Sequence, residues 1–434
     1  MVADRRATLL RNLLGHARDK LALDIAFVLW DGSTVPNDAH PSSLAISLAD
    51  EGAVASLLRR PNLETLLNLW VTSRVDLRNG TLFDLAGRKP KVRTRDFVRN
   101  LDKRLLFKTA VAFLLAPAGG PRPLDQFERD AARRDGNPST NKQNISHHYD
   151  VSNKFYSLFL DPEMVYSCAY FTDWGNDLAA AQRAKLDMIC RKLRLRPGES
   201  LLDIGCGWGA LICHAAKHFG VHAHGVTLAE EQFRLAREKI TQLGLQDQVT
   251  VELIDYSALD RTFDKIASIG MFEHVAIPKQ SAYFNTIQRL LKVDGLYLHH
   301  AITRPAKATD AAFRRRKAEY EAMTRYIFPG AEVAHIGMSV ADLERHGFEV
   351  HDVEDWREHY QRTCRHWHDR LHANYAAAVD EVGSVKARLW LIYLAGCSLA
   401  FERNSIRIYQ TLASKRHRGA SPLPPTRADL YAQR

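Results

Sequence analysis

The pattern of apolar and polar residues divides the chain into two regions of different character. Residues 1 to about 115 begin with a helical period of leucines, then pass through the strand-like LALDIAFVLWDGSTV and the alternating SLAISLAD, and include a leucine-rich helix from Pro61 to Thr72. This mixture of short helices and strands predicts a small α+β domain over residues 1–115.

A second pattern begins near Arg191, where short apolar strands alternate with amphipathic helices. The predicted helices cover residues 210–219, 230–243 and 279–291, and the predicted strands are SLLDIGCG, VHAHGVTL, VTVELIDY, FDKIASIGM and GLYLHHAI. Because such alternation builds parallel sheets with helices on both faces, the pattern predicts an α/β fold with a doubly wound parallel sheet. From about Trp356 onward the chain is predicted to be helical.

Composition sets the boundaries between the regions. Residues 116–140 lie within a segment that is rich in Pro, Gly, Arg and Asp and has little periodicity, which predicts a linker. The larger domain is then expected at residues 141–415, and the tail 416–434 is expected to be disordered. A chain of 434 residues is long enough for two folding units of unequal size.

The charge distribution favours an anionic partner. The net charge is +10, residues 1–143 hold 23 Lys/Arg against 16 Asp/Glu, and the segment Arg88–Arg104 is densely basic. Nucleic acid is the weaker explanation, since no helix-turn-helix, RNP-like or zinc-finger sequence pattern accompanies the charge. The longest sequence free of charge, residues 389–401, is shorter than the ~20 residues that cross a bilayer, so membrane contact is expected to be peripheral.

The six cysteines are scattered through the sequence without a CxxC pair, and the N-terminal sequence lacks the apolar core of a secretion signal. Both features favour reduced thiols and a cytoplasmic protein. No metal site is predicted.

The segment LLDIGCGWG, Leu201 to Gly209, ends a predicted strand in a glycine-rich turn that opens a helix. Such a turn lets the backbone approach a ligand, and the helix N-terminus offers N–H groups. A dinucleotide site would show GxGxxG and an acidic residue after the second strand, whereas the spacing here is GxGxG and the second strand ends in VTLAEEQ. NAD is therefore disfavoured, and glycines that serve only tight packing stay an alternative.

The same turn, with Asp203, Gly205, Gly207 and Gly209, resembles motif I of class I methyltransferases. In that family the motif surrounds the methionine part of S-adenosylmethionine, and Asp255 stands where the family contacts the adenine. The resemblance implies a class I methyltransferase, Rossmann-like fold behind the small N-terminal domain.

Segments around the turn resemble a narrower family, the cyclopropane fatty acid synthases and the related mycolic acid cyclopropane synthases. HHYDVSNKFYSLFLDPEMVYSCAYF, GVTLAEEQ, MFEHV and YIFPG occur in the family's order, and the resemblance covers residues 140–412. It implies transfer of the methyl group of S-adenosylmethionine to the cis double bond of an unsaturated acyl chain in membrane phospholipid, followed by ring closure. The cofactor-binding residues that it implies are Tyr149, Tyr166, Ser167, Asp203, Gly205, Gly207, Gly209, Thr227, Gln232, Asp255 and Tyr256.

Ring closure demands a closed, apolar pocket. An alkene that attacks the sulfonium methyl leaves a carbocation, and water would destroy it. A base must then remove a proton from the new methyl group, and in the family this base is thought to be a bound bicarbonate ion. Aromatic faces suited to stabilise the cation are Tyr166, Tyr170, Phe171, Phe272 and Trp367. The resemblance implies for the bicarbonate and its proton transfer Cys168, Glu273, His300, Ile302 (through its backbone), Tyr360 and Cys397.

Alternatives stay open for single residues and for the whole chain. Glu273 could be a helix cap, His300 a core histidine and Cys397 a small buried hydrophobe. The enzyme could methylate the acyl chain without closing a ring, or the chain could be a lipid-binding protein with a vestigial methyltransferase domain. Departures from the family pattern, His299 and the loop 174–177, bear on substrate choice. The resemblance also implies a homodimer formed through the N-terminal unit. The basic segment Arg88–Arg104 is expected to attract anionic lipid headgroups at the inner face of the membrane, with a solvated helix face as the alternative.

Overall fold

A computed structural model of the chain describes residues 2–88, 101–124, 151–327, 331–421 and 423–432. The chain divides into two units, Met1–Asp130 with Val382–Ala395, and Ala131–Glu381 with Gly396–Arg434. Most of the predicted linker 116–140, most of the basic segment Arg88–Arg104, Tyr149 and the end of YIFPG lie outside the described residues.

The first unit contains a four-stranded sheet in the order β2-β1-β3-β4. Its strands are β1 (Ala26–Val28), β2 (Thr34–Val35), β3 (Ala45–Leu48) and β4 (Val75–Arg78). The described helices before residue 125 are α1 (Val2–Leu21), α2 (Glu51–Arg59), α3 (Leu63–Val71), α4 (Leu82–Gly87) and α5 (Lys103–Leu114). Apolar side chains from strands and helices form one buried core, which confirms the small α+β part predicted from the sequence.

Polar side chains fix where these helices begin. Asp50 accepts a hydrogen bond from the backbone N–H of Ala53 at 2.9 Å, and Asn62 accepts one from Thr65 at 2.8 Å. Each satisfies an N–H group that has no partner within its helix. Arg74 donates to Asp50 at 2.8 Å, which ties the start of α2 to the residue before β4.

The second unit contains a seven-stranded sheet in the order β10-β11-β9-β8-β5-β6-β7. Its strands are β5 (Ser200–Ile204), β6 (His222–Val226), β7 (Val249–Glu252), β8 (Phe263–Ile269), β9 (Leu291–Thr303), β10 (Phe348–Asp355) and β11 (Arg407–Lys415). Strands β5 to β9 pair in parallel, which confirms the class I methyltransferase, Rossmann-like arrangement.

Helices cover this sheet. They are α6 (Asn153–Ser157), α7 (Leu178–Lys192), α8 (Ala210–Phe219), α9 (Glu230–Gln242), α10 (Gln280–Leu290), α11 (Asp310–Arg314), α12 (Ala318–Tyr326), α13 (Ile336–Arg345), α14 (Arg357–Ala373), α15 (Tyr375–Val382), α16 (Ser384–Glu402) and α17 (Ala428–Tyr431). The three helices predicted at 210–219, 230–243 and 279–291 are present to within one residue at each end.

The parallel sheet that the sequence predicts is extended at one edge by strands in antiparallel pairing. Strand β11 runs antiparallel to both β9 and β10, so the sheet is mixed. Strand β11 lies in a region where the sequence predicts helix. The strand is not evident from the sequence because its buried residues Gln410, Thr411 and Ser414 are polar and interrupt the apolar run that is typical of an internal strand.

Helix α16 contributes residues to both units, whereas the sequence places all of 141–415 in the larger domain. By length and composition alone this helix could cross a membrane, but 44% of its most apolar window is buried within the protein. Its Arg388 pairs with Asp76 at 2.9 Å and lies 4.5 Å above the ring of Trp70. A charged side chain held in this way indicates a helix of the folded core.

The expectation of a disordered tail is wrong for residues 423–432. Leu430 is buried, and Arg191 of α7 donates to the carbonyl oxygens of Leu430 and Ala432 at 3.3 and 2.6 Å. Arg194 pairs with Asp429 at 2.9 Å. Leu423 also packs against the core of the second unit, and the polar composition of the tail hides both apolar anchors.

We expect Leu430→Ala to lower the free energy of unfolding of the second unit by about 2 kcal/mol, because a 2% exposed leucine is replaced by a cavity. The neighbouring Tyr431→Ala, at a 58% exposed position, is the matched control and should change it by less than about 0.5 kcal/mol. Urea unfolding followed by tryptophan fluorescence measures both. Equal effects would mean that the tail is not anchored.

Candidate active site

A cavity of about 360 Å³ opens at the carboxyl ends of the parallel strands. Its lining includes the residues that follow β5, β6, β7 and β8. The strand order reverses between β5 and β8, and open α/β sheets bind their ligands at such a point.

The glycine turn after β5 is shaped by backbone conformation and by lack of space. Gly205, Gly207 and Gly209 have φ angles of 76°, 55° and 83°, a region that side chains rarely adopt. A Cβ atom at Gly205 would lie 2.9 Å from Cγ of Met271, and one at Gly209 would lie 3.2 Å from Cβ of Ala236. At Gly207 no heavy atom of a described residue beyond its chain neighbours would lie within 4 Å, so the backbone there is open to a ligand.

Two buried ionisable groups lie in the cavity lining, Asp203 at the end of β5 and Lys185 on α7. Burial raises the pKa of Asp203 to about 7, and the nearby Lys185 ammonium acts against this rise. Burial lowers the pKa of Lys185 to about 8, and its Nζ donates to Oγ of Ser167 at 2.9 Å. Asp203 Oδ1 has no hydrogen-bond partner among the described residues. An acceptor and a cation in one lining fit the ammonium and carboxylate of an amino acid.

Sequence reasoning missed Lys185. The signal was present, because Lys185 falls on the same helical stripe as the buried Ala181, Leu186 and Ile189. A lysine on an apolar stripe needs a polar partner inside the protein, so its position indicates a candidate site residue.

Neutral and acidic groups line the rest of the cavity. Thr227 donates to Oε1 of Gln232 at 3.0 Å, and both side chains are buried. Asp255 accepts a hydrogen bond from the N–H of Ser257 at 2.9 Å, which holds its carboxylate at the start of a short turn. Burial raises the pKa of Tyr256, so its hydroxyl keeps its proton.

The structure brings nine of the predicted cofactor residues into this lining. Gly209, the N-cap of helix α8, is not among the lining residues, and Tyr149 lies outside the described residues. The roles of the nine stay predictions. They are Tyr166, Ser167, Asp203, Gly205, Gly207, Thr227, Gln232, Asp255 and Tyr256.

The six residues predicted for proton removal are absent from the described lining of the cavity. Two of them are in contact, since the N–H of Ile302 donates to Oε1 of Glu273 at 2.6 Å. Oε2 of Glu273 is buried without a hydrogen-bond partner in the described part of the chain, and burial raises the pKa of Glu273 to about 7. Glu273 is therefore poised between its acid and base forms near neutral pH.

The tautomer of His300 follows from a chain of hydrogen bonds. Lys192 donates to Oε1 of Gln410 at 2.7 Å, which turns Nε2 of Gln410 towards Nδ1 of His300 at 2.8 Å. Nδ1 accepts, so in the neutral ring the proton resides on Nε2. Burial holds the pKa of His300 well below its usual value, and Nε2 has no partner among the described residues. His300 is a neutral donor.

Cys168 is buried, Tyr360 is half-buried, and both are neutral as well. The thiol of Cys168 lies 3.8 Å from the carbonyl oxygen of Trp356, and burial holds its pKa well above the usual value. Burial likewise raises the pKa of Tyr360, whose ring lies 5.9 Å from Trp367. Cys397 is partly exposed on α16.

Three of the five aromatic candidates lie near these groups. Tyr166 lies 5.0 Å from Trp367, which joins the cavity lining to Tyr360, and Tyr170 stacks on Trp356 at 4.7 Å. Phe272 packs instead in the core, 4.6 Å from His299, and Phe171 stacks on His366 at 5.7 Å. The Nδ1 atom of the buried His299 forms a hydrogen bond with the hydroxyl of Tyr297 at 3.0 Å.

Comparison with known proteins gives a consistent result. Residues 137–411 match the family described as mycolic acid cyclopropane synthetase. A probable fatty acid methyltransferase of Pseudomonas putida is 37% identical over 423 residues, which cover 96% of this chain and 99% of that protein. The cyclopropane-fatty-acyl-phospholipid synthase of Escherichia coli K12 is 37% identical over 62% of this chain and 66% of that protein. The solved structure of mycolic acid cyclopropane synthase CmaA1 complexed with SAH and CTAB is 33% identical, with a TM-score of 0.60 over 63% of this chain and 98% of that one.

We expect Lys185→Met to weaken binding of S-adenosylhomocysteine about tenfold at pH near 7. Without the ammonium, the pKa of Asp203 rises further above about 7, so a larger fraction of this carboxyl is protonated and cannot accept. Raising the pH to roughly 8.5 should restore part of the affinity, because Asp203 ionises again. Isothermal titration calorimetry measures the binding, with Lys217→Met, at an exposed position on α8, as the control. An affinity that is unchanged at both pH values would remove Lys185 from the site.

Proposed function

Because the chain belongs to the mycolic acid cyclopropane synthetase family, we propose that it methylates the cis double bond of an unsaturated phospholipid acyl chain and closes a cyclopropane ring. The chain is an S-adenosylmethionine-dependent methyltransferase of the cyclopropane synthase type. The observation that carries the finer proposal is a pair of buried side chains, Glu273 with its pKa raised to about 7 and the neutral His300. Oε2 of Glu273 and Nε2 of His300 have no hydrogen-bond partner in the described chain.

The cavity residues fit the methyl donor. S-adenosylmethionine supplies an electrophilic methyl group when it is bound. Asp203 is suited to accept from an ammonium group, and Lys185 to pair with a carboxylate. The Thr227–Gln232 pair offers neutral hydrogen bonds, and Asp255 offers an acceptor after β7. These residues hold and orient the donor at the switch point of the sheet.

The neutral state of the neighbouring side chains suits a carbocation. The alkene π pair forms the bond to the methyl carbon, which leaves a cation on the other alkene carbon. A thiolate or phenolate near that cation would capture it. Cys168 and Tyr360 lie outside the lining of the donor cavity, and burial keeps both protonated. The aromatic rings of Tyr166 and Trp367 exclude water and offer faces that stabilise positive charge.

Loss of a proton from the new methyl group supplies the electron pair that closes the ring. A bicarbonate ion would supply a mobile base for this step. The residues fit such an ion, since His300 offers an N–H donor and Glu273, with its pKa raised to about 7, can donate or accept. The resemblance assigns Ile302 to the ion through its backbone. The N–H of Ile302 donates to Glu273 here, so any contact of this N–H with the ion must share that bond.

A second candidate function is methylation without ring closure. The relative from Pseudomonas putida, which matches this chain over nearly its whole length, is described as a probable fatty acid methyltransferase. The two functions differ in whether the new methyl group loses the proton that gives the ring its electron pair. The membrane partner, the cytoplasmic location and the homodimer implied by the resemblance stay predictions.

Product analysis tests the proposal. The purified protein is incubated with S-adenosylmethionine and vesicles of an oleoyl phospholipid, and the fatty acid methyl esters are derivatised at double bonds and analysed by mass spectrometry. A gain of one CH₂ with loss of the double bond supports ring closure. The same gain in mass with the double bond retained selects the second candidate, and no product together with no binding of S-adenosylhomocysteine would select a vestigial domain.

We expect Glu273→Gln to lower methyl transfer at least about a hundredfold while the affinity for S-adenosylhomocysteine changes less than about threefold. Glutamine keeps the size of the side chain but cannot exchange a proton. The variant should also lose any dependence of its residual rate on added bicarbonate. Glu321→Gln, at an exposed position, controls for charge. A normal rate in Glu273→Gln would exclude the proposed role.

Cys397→Ser should retain activity within about twofold, because methyl transfer to an alkene needs no covalent enzyme intermediate. The initial rate on the same vesicles is the measurement. A loss of about a hundredfold with unchanged thermal stability would instead make Cys397 a reactive group.

A further inference from the structure

Helix α5, Lys103–Leu114, exposes an apolar stripe on the first unit. Phe107, Val111 and Leu114 are 70%, 50% and 63% exposed, and Leu115 at the C-cap is 88% exposed. Side chains spaced by three, four, seven and eight residues share one helix face, so the four form a continuous stripe. Eleven large apolar side chains are exposed in the described part of the chain, and these are four of them. Exposed apolar residues that occur singly need no explanation, whereas a contiguous group of them indicates an interaction surface.

The opposite face of α5 is fixed in the core. Phe113 is buried, with its ring edge-on to Trp30 at 6.2 Å. Arg6 donates to the carbonyl oxygen of Ala112 at 2.9 Å, and Arg59 donates to that of Leu114 at 2.6 Å. The stripe therefore belongs to a helix that is packed in place.

Basic side chains border the stripe. Lys103, Arg104 and Lys108 are exposed on α5, and the helix itself contains no acidic residue. The neighbouring Asp102 caps the helix by accepting from the N–H of Arg104 at 2.8 Å. An apolar face beside lysine and arginine is typical of helices that lie in the interface of a membrane with anionic lipids.

We propose that this surface, which we call the α5 face, docks on a bilayer that contains anionic phospholipid. The α5 face consists of Lys103, Arg104, Phe107, Lys108, Val111, Leu114 and Leu115. The proposal rests on the proposed function, since the substrate acyl chains lie in such a bilayer.

Charge complementarity favours a bilayer over a second copy of the chain. In a two-fold symmetric contact the same surface meets itself, so the three cations of one copy would face those of the other. Like charges placed together in this way oppose association, whereas anionic headgroups attract all three.

The apolar part of the proposal is tested in the full-length protein with the double variant Phe107→Ser/Leu115→Ser. We expect partition onto oleoyl phosphatidylglycerol–phosphatidylcholine vesicles to fall at least about tenfold in a sedimentation assay. The matched control is Leu243→Ser/Val293→Ser, two side chains of the second unit that are 43% and 62% exposed, and it should bind within about twofold of the wild type. Because all four side chains are exposed, the thermal unfolding midpoints should stay unchanged.

The electrostatic part is tested with Lys103→Gln/Arg104→Gln/Lys108→Gln. Each Lys or Arg that acts fully at the membrane surface strengthens binding roughly fivefold. We therefore expect the loss of three such charges to weaken binding to the anionic vesicles at least about tenfold. Its binding to pure phosphatidylcholine vesicles should not change. Raising the salt concentration to about 0.5 M should bring the wild type close to the variant. Equal loss on both kinds of vesicle would contradict the proposed role of these charges.

Activity separates this proposal from the proposed function. Methyl transfer is measured on vesicles and on the same lipid dispersed in detergent. If the apolar variant loses transfer only on vesicles, docking by the α5 face is supported. If the wild type binds vesicles through this face but methylates neither substrate, docking stands and the proposed function fails.

Two results would overturn docking while leaving the proposed function intact. One is that the apolar variant binds vesicles as strongly as the wild type does. The other is conversion of a dimer to a monomer in that variant, seen by light scattering, without loss of vesicle binding, which would make a second copy the occupant.

Discussion

Burial of ionisable groups at the carboxyl edge of the large sheet is the constraint on which the site depends. Lys185 and Asp203 lie close enough for each charge to shift the pKa of the other, and burial moves both towards neutrality. Desolvation of either group alone would be costly. The charged form of Lys185 is favoured by Asp161 and, to a smaller extent, by Asp203, and its Nζ donates to Oγ of Ser167. Strand β5, helix α7 and the glycine turn must all be in place for this arrangement to form.

Burial also sets the protonation states of a second group of side chains, which lies around Glu273 and His300. Burial raises the pKa of Glu273 to about 7, so this group can exchange a proton near neutral pH, while His300 is neutral and Cys168 and Tyr360 keep their protons. Lys185 and Asp203 thus suit the amino-acid group of the methyl donor. The uncharged side chains and aromatic rings around His300 would suit the carbocation of the proposed reaction. Lys192 supports this second group, because it orients Gln410 and so fixes the donor nitrogen of His300.

The sequence predicted the parts whose signals are local. The glycine turn, strands β5 to β9 and helices α8 to α10 follow from periodicity and spacing. Nine cofactor residues implied by the family resemblance lie in the cavity lining, whereas the six implied for proton removal do not. Strand β11 was missed because its buried polar residues pair with distant segments, and the anchored tail and the place of α16 depend on Leu430 and Arg388 meeting partners far along the chain. Lys185 was visible as a lysine on an apolar stripe, but its partner Asp203 is brought near only by the fold.

The central claim is that the new methyl group itself loses the proton that closes the ring. The most direct measurement uses S-adenosylmethionine with a fully deuterated methyl group and determines the deuterium content of the product fatty acid by mass spectrometry. The account predicts a saturated product that carries two deuterium atoms in the added carbon. A product that retains all three would contradict it, because the methyl group would then have been transferred without losing a hydrogen.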